Sequence, residues 1–440
     1  MALNLLTILA IIYLSIVIIS FIYYILITID YQSSYTTEEF AKLIDEPFVS
    51  VIVPTFNEES NIVNCLKSLR SLDYSNYEII LSDGGSTDST IELATPYVDK
   101  IIIENEVPES WVGKNYGCHI AYKVASGDIL LFTDADTYHK PDSLSKTVSV
   151  LKQKNAAMVT LLPYQRLEKW WESIIPIYYI LSHVASQGKK NVNNPEKSDC
   201  YMASGQYLLF DREIYERIGG HENLKGSIVE DLAFARIIKM ETKALYYMDN
   251  HNLVYARMYP DSVKYCWTGI KKCLYAGTKL TPPRRIISTL LYILWGIFSP
   301  IAIAISILFG TNLMIILSSV SLAIYTIIMW TFWRGKGKHY WVAYLFLPFL
   351  MLVFITAMTV STIEIIVKDT TTWKGRTYRP NLKAGLEGSD HYAFKEIQHL
   401  GQLETDNEIE SISTNLSKST SSLSSQSSNQ NSLLKQIYEK

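Results

Sequence analysis

Neither sign of charge prevails in this 440-residue chain: 40 Lys and Arg stand against 43 Asp and Glu, a net charge of −3. Without a basic excess there is no footprint for a phosphate backbone, and no nucleic acid is expected among its partners. Cysteine is scarce. Cys65, Cys118, Cys200, Cys266 and Cys273 are odd in number and form no CxxC pair, which excludes a disulfide framework and a thiolate zinc site as the basis of the fold. A reduced domain facing the cytoplasm fits that usage. No internal repeat is present. Charge itself is missing from three long stretches: Leu5–Ile29 (25 residues), Ile286–Trp333 (48 residues) and Tyr340–Ile363 (24 residues).

About 20 apolar residues cross the hydrocarbon core of a bilayer. Residues 1–30 therefore read as an N-terminal transmembrane anchor, too long and too poor in early basic residues for a cleaved signal peptide. Residues 286–367 read as C-terminal transmembrane segments, the longest run holding two helices that turn near Gly310-Thr311-Asn312. Arg284 and Arg285 before that pair, and Arg334, Lys336 and Lys338 after it, put both flanks inside. One further crossing would leave residues 368–400, with Lys374, Arg376, Arg379 and Lys383, outside. A break at Pro348 into a re-entrant pair would return them inside, and an inside tail is the expectation. From 401 to 440 the composition changes again. Between Ser411 and Ser432, 11 of 22 residues are serine and none is aromatic, so this tail is expected to be disordered.

Between the apolar flanks, residues 48–285 alternate short β-branched runs with helical patterns and end in a basic interfacial lead-in, Tyr265 to Arg285. Val49–Val53, Glu78–Leu81, Lys100–Ile103 and Asp128–Thr133 read as parallel strands apolar enough for burial on both faces. Helices are expected over Glu59–Leu72 and Gly113–Ala125. Ligands of such sheets bind beyond the carboxyl ends of the strands, where Thr55-Phe56-Asn57-Glu58, Asp83-Gly84-Gly85 and Asp134-Ala135-Asp136 stand. Each admits two readings. Asp83 either accepts hydrogen bonds from a base or ribose, or caps its own turn through Ser86 and Asp88. Asp134 and Asp136 either offer hard oxygen ligands to Mg²⁺ or Mn²⁺ beside a leaving diphosphate, or are plain loop carboxylates. Asp231, behind Glu230, opens the helical pattern Leu232–Lys239 and is either a base kept ionised by the helix dipole or a helix cap. His139 is a candidate metal ligand, and His251 and Arg257 candidate diphosphate contacts, each set against an ordinary packed or exposed side chain.

The segments Val49-Ser-Val-Ile-Val-Pro-Thr-Phe-Asn-Glu-Glu59, Asp83-Gly-Gly-Ser-Thr-Asp88, Thr133-Asp-Ala-Asp-Thr137 and Val229-Glu-Asp-Leu232 occur in an order and spacing that resemble family 2 glycosyltransferases of the GT-A fold. The likeness covers residues 48–260. It implies an α/β, Rossmann-like nucleotide-sugar-binding domain with membrane helices on either side. By the same resemblance Pro54, Thr55, Asn57, Glu58 and Asp83 hold the donor nucleoside, Asp136 and Asp134 bind the metal and diphosphate, and Asp231 with Glu230 supplies the general base of inverting transfer. Trp111-Val-Gly-Lys-Asn115, Ser204-Gly-Gln-Tyr-Leu-Leu-Phe210, Gly219-Gly-His221 and Trp373-Lys-Gly-Arg-Thr-Tyr378 are similar to a membrane-bound branch that includes carotenoid-acid and hopanoid-associated glycosyltransferases. That narrower likeness implies Lys114 near the donor phosphate, the alternative being a solvated helix lysine, and Gly205 and Gln206 on the acceptor side.

One departure is plain: the QxxRW box of processive synthases is missing, its region reading Lys264-Tyr-Cys-Trp267-Thr-Gly-Ile-Lys-Lys272. Trp373, Lys374 and Arg376 are candidates for the missing aromatic group and cation. Trp170-Trp171 with the apolar run to Leu181 reads either as an interfacial helix and lipid-acceptor lip or as a buried domain helix. The expected protein is a multi-pass enzyme of the cell membrane, its catalytic domain facing the cytoplasm. With Mg²⁺ or Mn²⁺ it moves a single sugar from a nucleotide-sugar, UDP-linked, to a lipid hydroxyl or carboxylate. A chain-building polysaccharide synthase and a non-catalytic scaffold derived from a transferase are the alternatives, distinguished by product length and by turnover.

Overall fold

Burial on both faces selects the central strands. Val49–Thr55 (β1), Tyr77–Asp83 (β2) and, beyond Lys100–Ile103 (β3), Ile129–Thr133 (β4) pair in parallel in the order β3-β2-β1-β4. β1, β2 and β4 are almost wholly buried, as near-continuous apolar runs in a parallel sheet must be. β3 departs from the expectation: as the edge strand it is only half-buried, and Ile103 is 48% exposed. This computed structural model describes residues 15, 17–25, 45–248, 252–309, 312–333 and 346–386.

Later strands are Thr137–His139 (β5), Met158–Leu161 (β6), Tyr164–Gln165 (β7), Tyr207–Asp211 (β8), Leu245–Met248 (β9) and Val254–Ala256 (β10). β8 runs antiparallel between β4 and β6, and β9 pairs parallel with β6, so the seven-stranded sheet is mixed. β5, β10 and β7 form a small sheet of their own. Ile62–Arg70 (α1) buries Ile62, Cys65, Leu66 and Leu69, spaced i, i+3, i+4, i+7 as one helical face requires. Gly113–Val124 (α2) and Ser143–Gln153 (α3) also pack on the sheet. The register then places the site. Thr55 stands opposite Asp83 and Thr133 opposite Tyr207, so the ends of β1, β2 and β4 and the start of β8 share one edge.

Ile175–Ser186 (α4), Glu230–Glu241 (α5) and Val263–Leu280 (α6) lead to Pro283–Phe309 (α7), Asn312–Trp333 (α8) and Leu347–Lys368 (α9). The last three are long and apolar enough to cross a membrane. α7 ends and α8 begins on either side of Gly310 and Thr311, which lie outside the described residues. Within the first apolar run, residues 17–25 are helical; Tyr24 donates to the Ser288 carbonyl at 2.8 Å and packs against Tyr292 at 4.7 Å. α4 is buried by its neighbours, Tyr179 stacking on Trp333 at 6.3 Å and His183 meeting Phe332 at 4.7 Å, while Trp170 before it is 59% exposed. The domain-helix reading of this segment is therefore the observed one.

The first arm of a re-entrant pair at Pro348 would fall on residues 340–345, which lie outside the described residues. Proline sits in the first turn of α9, where its missing N–H has no intrahelical acceptor to serve, and the helix continues to Lys368. α9 packs antiparallel to α6, with Lys271 and Glu364 ion-paired at 2.6 Å and the Tyr275 N–H donating to Ser361 Oγ at 3.2 Å. After it, Thr371–Trp373 (β11) and Arg376–Tyr378 (β12) form a hairpin that folds back onto the strand edge described above. His251, Arg334, Lys336, Lys338 and the serine-rich tail lie outside the described residues.

Candidate active site

The loops after β1 and β2 are stitched to one another. Asn57, at φ 52°, accepts from the Thr87 N–H at 2.9 Å, and its own N–H donates to Ser86 Oγ at 2.8 Å. Asp83 holds this arrangement from beneath. Its carboxylate is fully buried and accepts from Thr55 Oγ1 (3.0 Å), Ser86 Oγ (2.6 Å) and the N–H groups of Gly85 (2.9 Å) and Ser86 (2.7 Å). The turn-capping reading describes this geometry; a ligand would meet the surface of the loop rather than the Asp83 carboxylate. Pro54, Thr55, Asn57 and Glu58 do line the adjoining cavity, which encloses about 1040 Å³.

Two carboxylate pairs face each other across that cavity. Asp134 and Asp136 follow β4; Glu230 and Asp231 open α5. Lys114, in the first turn of α2, joins them: its ammonium lies 2.8 Å from Asp134 Oδ1, 3.0 Å from Glu230 Oε1 and 3.0 Å from the Gly205 carbonyl. Burial alone would lower this lysine, but Asp134 and Glu230 outweigh it and hold the group well above the usual range. All three of its protons are engaged, so it is a tie between the two pairs rather than a solvated side chain. Asp231 accepts from the Gly205 N–H at 2.9 Å and the Leu232 N–H at 2.7 Å. Burial and the neighbouring Glu230 nevertheless push its carboxyl up to about 6. Asp136 is pushed up to about 7 by burial, Asp134 and Glu58.

Gly205 and Gln206 reach this centre because β8 runs antiparallel to β4. Thr133 Oγ1 donates to the Gln206 carbonyl at 2.8 Å, and Gln206 Nε2 approaches Asp136 Oδ1 at 3.4 Å. A Cβ at residue 205 would stand 2.9 Å from Lys114 Nζ and 3.2 Å from Glu230 Oε1, so a side chain there would displace the ends of both. His139 does not join the metal pair. It is buried beneath the site, its Nε2 within 3.1 Å of Thr133 Oγ1 and 2.9 Å of Thr137 Oγ1, and burial pushes it down to about 3. Arg257 lines the cavity, its Nη1 held by Glu168 at 2.8 Å and its Nε by Glu172 at 3.0 Å, while its Nη2 has no hydrogen-bond partner among the described residues.

The hairpin packs on the loops after β1 and β2. Lys374 donates to Glu58 Oε1 at 2.5 Å and to the Phe56 carbonyl at 2.8 Å; Arg376 donates to the Gly84 carbonyl at 2.6 Å and stacks 4.0 Å over the Phe56 ring. Trp373 points the other way and stacks on Tyr265, centroids 5.0 Å apart at 18°. Lys272, which the sequence offers only as part of the basic lead-in, reaches the site. Its ammonium lies 3.9 Å over the Trp373 ring, lines the cavity and has no carboxylate partner among the described residues; burial lowers it below the ordinary lysine value. The one available signal was spacing, since Tyr265 and Lys272 are i, i+7 and share a face of α6.

A family model, Glycosyl transferase family 2, matches residues 50–219. A 4,4'-diaponeurosporenoate glycosyltransferase of Staphylococcus haemolyticus is 25% identical over 267 residues, 60% of this chain and 70% of the relative. Its namesake from Staphylococcus aureus is 22% identical over 261 residues, 59% and 69% respectively. Among solved structures, a mannosyltransferase of Pyrobaculum calidifontis in complex with GDP-Man and Mn²⁺ superposes with a TM-score of 0.50 at 18% identity, over 80% of this chain and 99% of that one. That last likeness bears on the fold, which is of the GT-A type.

Proposed function

The chain carries a glycosyl transferase family 2 domain and is a glycosyltransferase, and from that premise we propose that it moves one sugar from a nucleoside-diphosphate sugar to a membrane lipid, with inversion. One observation carries the proposal: Asp134/Asp136 and Glu230/Asp231, tied by Lys114, share a single cavity whose far wall is made of membrane-length apolar helices. The named acceptor of the staphylococcal relatives, a carotenoid acid, supports a lipid on that side. The donor is taken as UDP-linked, with GDP-linked sugars as the first comparison because the archaeal structure holds GDP-Man. Arg284 and Arg285 at the start of α7 support a catalytic domain on the cytoplasmic side.

The donor set fits a divalent cation. Asp134 and Asp136 are hard oxygen ligands, and the rise of the Asp136 carboxyl under burial, Asp134 and Glu58 reports a negative field that such a cation would neutralise. Among the described residues no three His, Cys, Asp or Glu side chains form a cage, so donor phosphate and water would complete the coordination. Mg²⁺ or Mn²⁺ held by these two residues would supply charge neutralisation for the leaving diphosphate.

Asp231 acts as the base. It takes the proton of an acceptor hydroxyl as that oxygen bonds to the anomeric carbon, whereas a carboxylate acceptor attacks already ionised; the bond from that carbon to the diphosphate oxygen breaks, and the diphosphate leaves with the electron pair. A carboxyl raised to about 6 accepts a proton more readily than an unperturbed aspartate while remaining ionised at neutral pH. Lys114 orients both carboxylate pairs, and its contacts with Glu230 and Gly205 fix the start of α5. The test is transfer from radiolabelled nucleotide-sugars in membranes holding the protein, with Mg²⁺ or Mn²⁺ and with chelator. One metal-dependent lipid product is expected, and Asp136→Ala should lose the metal-dependent part of donor affinity. A ladder of products, or no turnover with any donor, would sink the reading.

A further inference from the structure

The cavity does not end at its carboxylates. Its wall continues along one face of each of two helices, with Ile286, Leu290 and Ile293 on α7 and Phe354, Met358 and Thr362 on α9. Spacings of i, i+4, i+7 and i, i+4, i+8 put each set on a single helical face, so the lining is continuous rather than incidental. Two lining residues also face out of the molecule: Leu290 is 47% exposed, and Thr359 of α9 is exposed as well. A side chain that both lines a cavity and is open to the exterior marks a mouth. Here the mouth lies between helices of membrane-crossing length, so what borders it is hydrocarbon.

At its inner end the slot meets Lys272 over Trp373, and beyond them Asp231. Apolar walls leading to a polar, charged end are complementary to an amphiphile, and continuity with the carboxylates fixes which end must lie where. We propose that α7 and α9 form a lateral portal through which the acceptor's hydrocarbon chain enters from the bilayer, the chain lying in the slot and the head group at Asp231. This rests on the reading of the acceptor as a lipid. A path from the membrane side explains why the slot carries apolar side chains so close to four carboxylates, since the chain never has to leave hydrocarbon for water.

Photolabelling tests the portal without any sugar donor, so its failure and that of the transferase reading are separate results. The full chain in lipid nanodiscs is irradiated with palmitate carrying a mid-chain diazirine, and the labelled peptides are mapped. Label is expected on the slot-facing residues of α7 and α9, Ile293 and Phe354 among them, and Leu290→Trp combined with Thr359→Trp should cut it at least about tenfold. Ile287→Trp, on the outward face of the same helix at 58% exposure, should leave it unchanged. Should the double variant misfold, Thr359→Cys alkylated after folding with a bulky maleimide supplies the same block, compared with wild type treated alike because Cys273 also lines the cavity. Label that is concentrated at Ile287 and Ile366, missing from α7 and α9, or insensitive to the blocked mouth overturns the proposal.

Discussion

Asp231 sits where function and stability pull apart. Its carboxyl is raised from 3.8 to about 6, so the folded chain binds that proton more tightly than the unfolded chain does. Stability from this group is therefore fully present below about pH 4 and is lost as pH rises through 6. Asp231→Asn should raise Tm at pH 8 and leave it unchanged at pH 4 in a calorimetric scan. The same variant should lower kcat by about 10²–10⁴-fold while donor Kd holds, as expected for a lost general base. In the wild type, transfer should fall away on the acid side of about pH 6 as the base becomes protonated. Equal loss of donor binding would make the residue structural. Gly205 offers a second residue-scale test. Gly205→Ala puts a methyl 2.9 Å from Lys114 Nζ, and since displacement of a catalytic group by an ångström can cost about 10²-fold, kcat should drop by roughly 10- to 100-fold with Tm little changed.

Among the elements, the β11–β12 hairpin has the clearest mechanical role, because it meets the nucleotide loops through two cations. Arg376→Ala removes the bond to the Gly84 carbonyl and the stacking on Phe56, together worth about 1–2 kcal/mol, so donor KM should rise roughly 5- to 30-fold. A variant with unchanged KM would show the hairpin to be a bystander. Sequence reading found the elements whose signals are local. β1, β2, α2, α7 and α8 follow from apolar runs, and Asp134/Asp136 and Glu230/Asp231 from their positions at a strand end and a helix start. It could not find what depends on distant pairing. The antiparallel β8, the burial of α4, the engagement of Arg257 by Glu168 and Glu172, and the placement of Lys272 over Trp373 all come from segments 85 or more residues apart or from sheet order. Asp83 stays between two readings in the sequence for a related reason, since only the folded loop shows the four hydrogen bonds it makes there.

In the molecule as a whole, catalytic sheet and apolar helices share one core. A single buried cluster runs from Ile52 and Phe132 in the sheet through Tyr179 and Ile180 to Tyr325 and Trp333 of the membrane-length helices. Truncation after Leu280 would strip α4 of its cover and expose Tyr179, Ile180 and Val184, so that fragment should aggregate without detergent while the full chain in detergent remains monodisperse by light scattering. A soluble, active fragment would refute the shared core. The hairpin bears on how the molecule comes into being. Lys374 follows its partner Glu58 by 316 positions, and a ribosome adding about 5–20 residues per second needs roughly 15–60 s to travel from one to the other. Late in that interval the nascent chain already has its sheet, its paired carboxylates and its membrane-length helices, but not the hairpin that packs on the loops after β1 and β2. On the proposed function, full donor affinity would be acquired last, after insertion, and polypeptides stalled short of the hairpin would occupy the bilayer while competing only weakly for the cell's nucleotide-sugar pool.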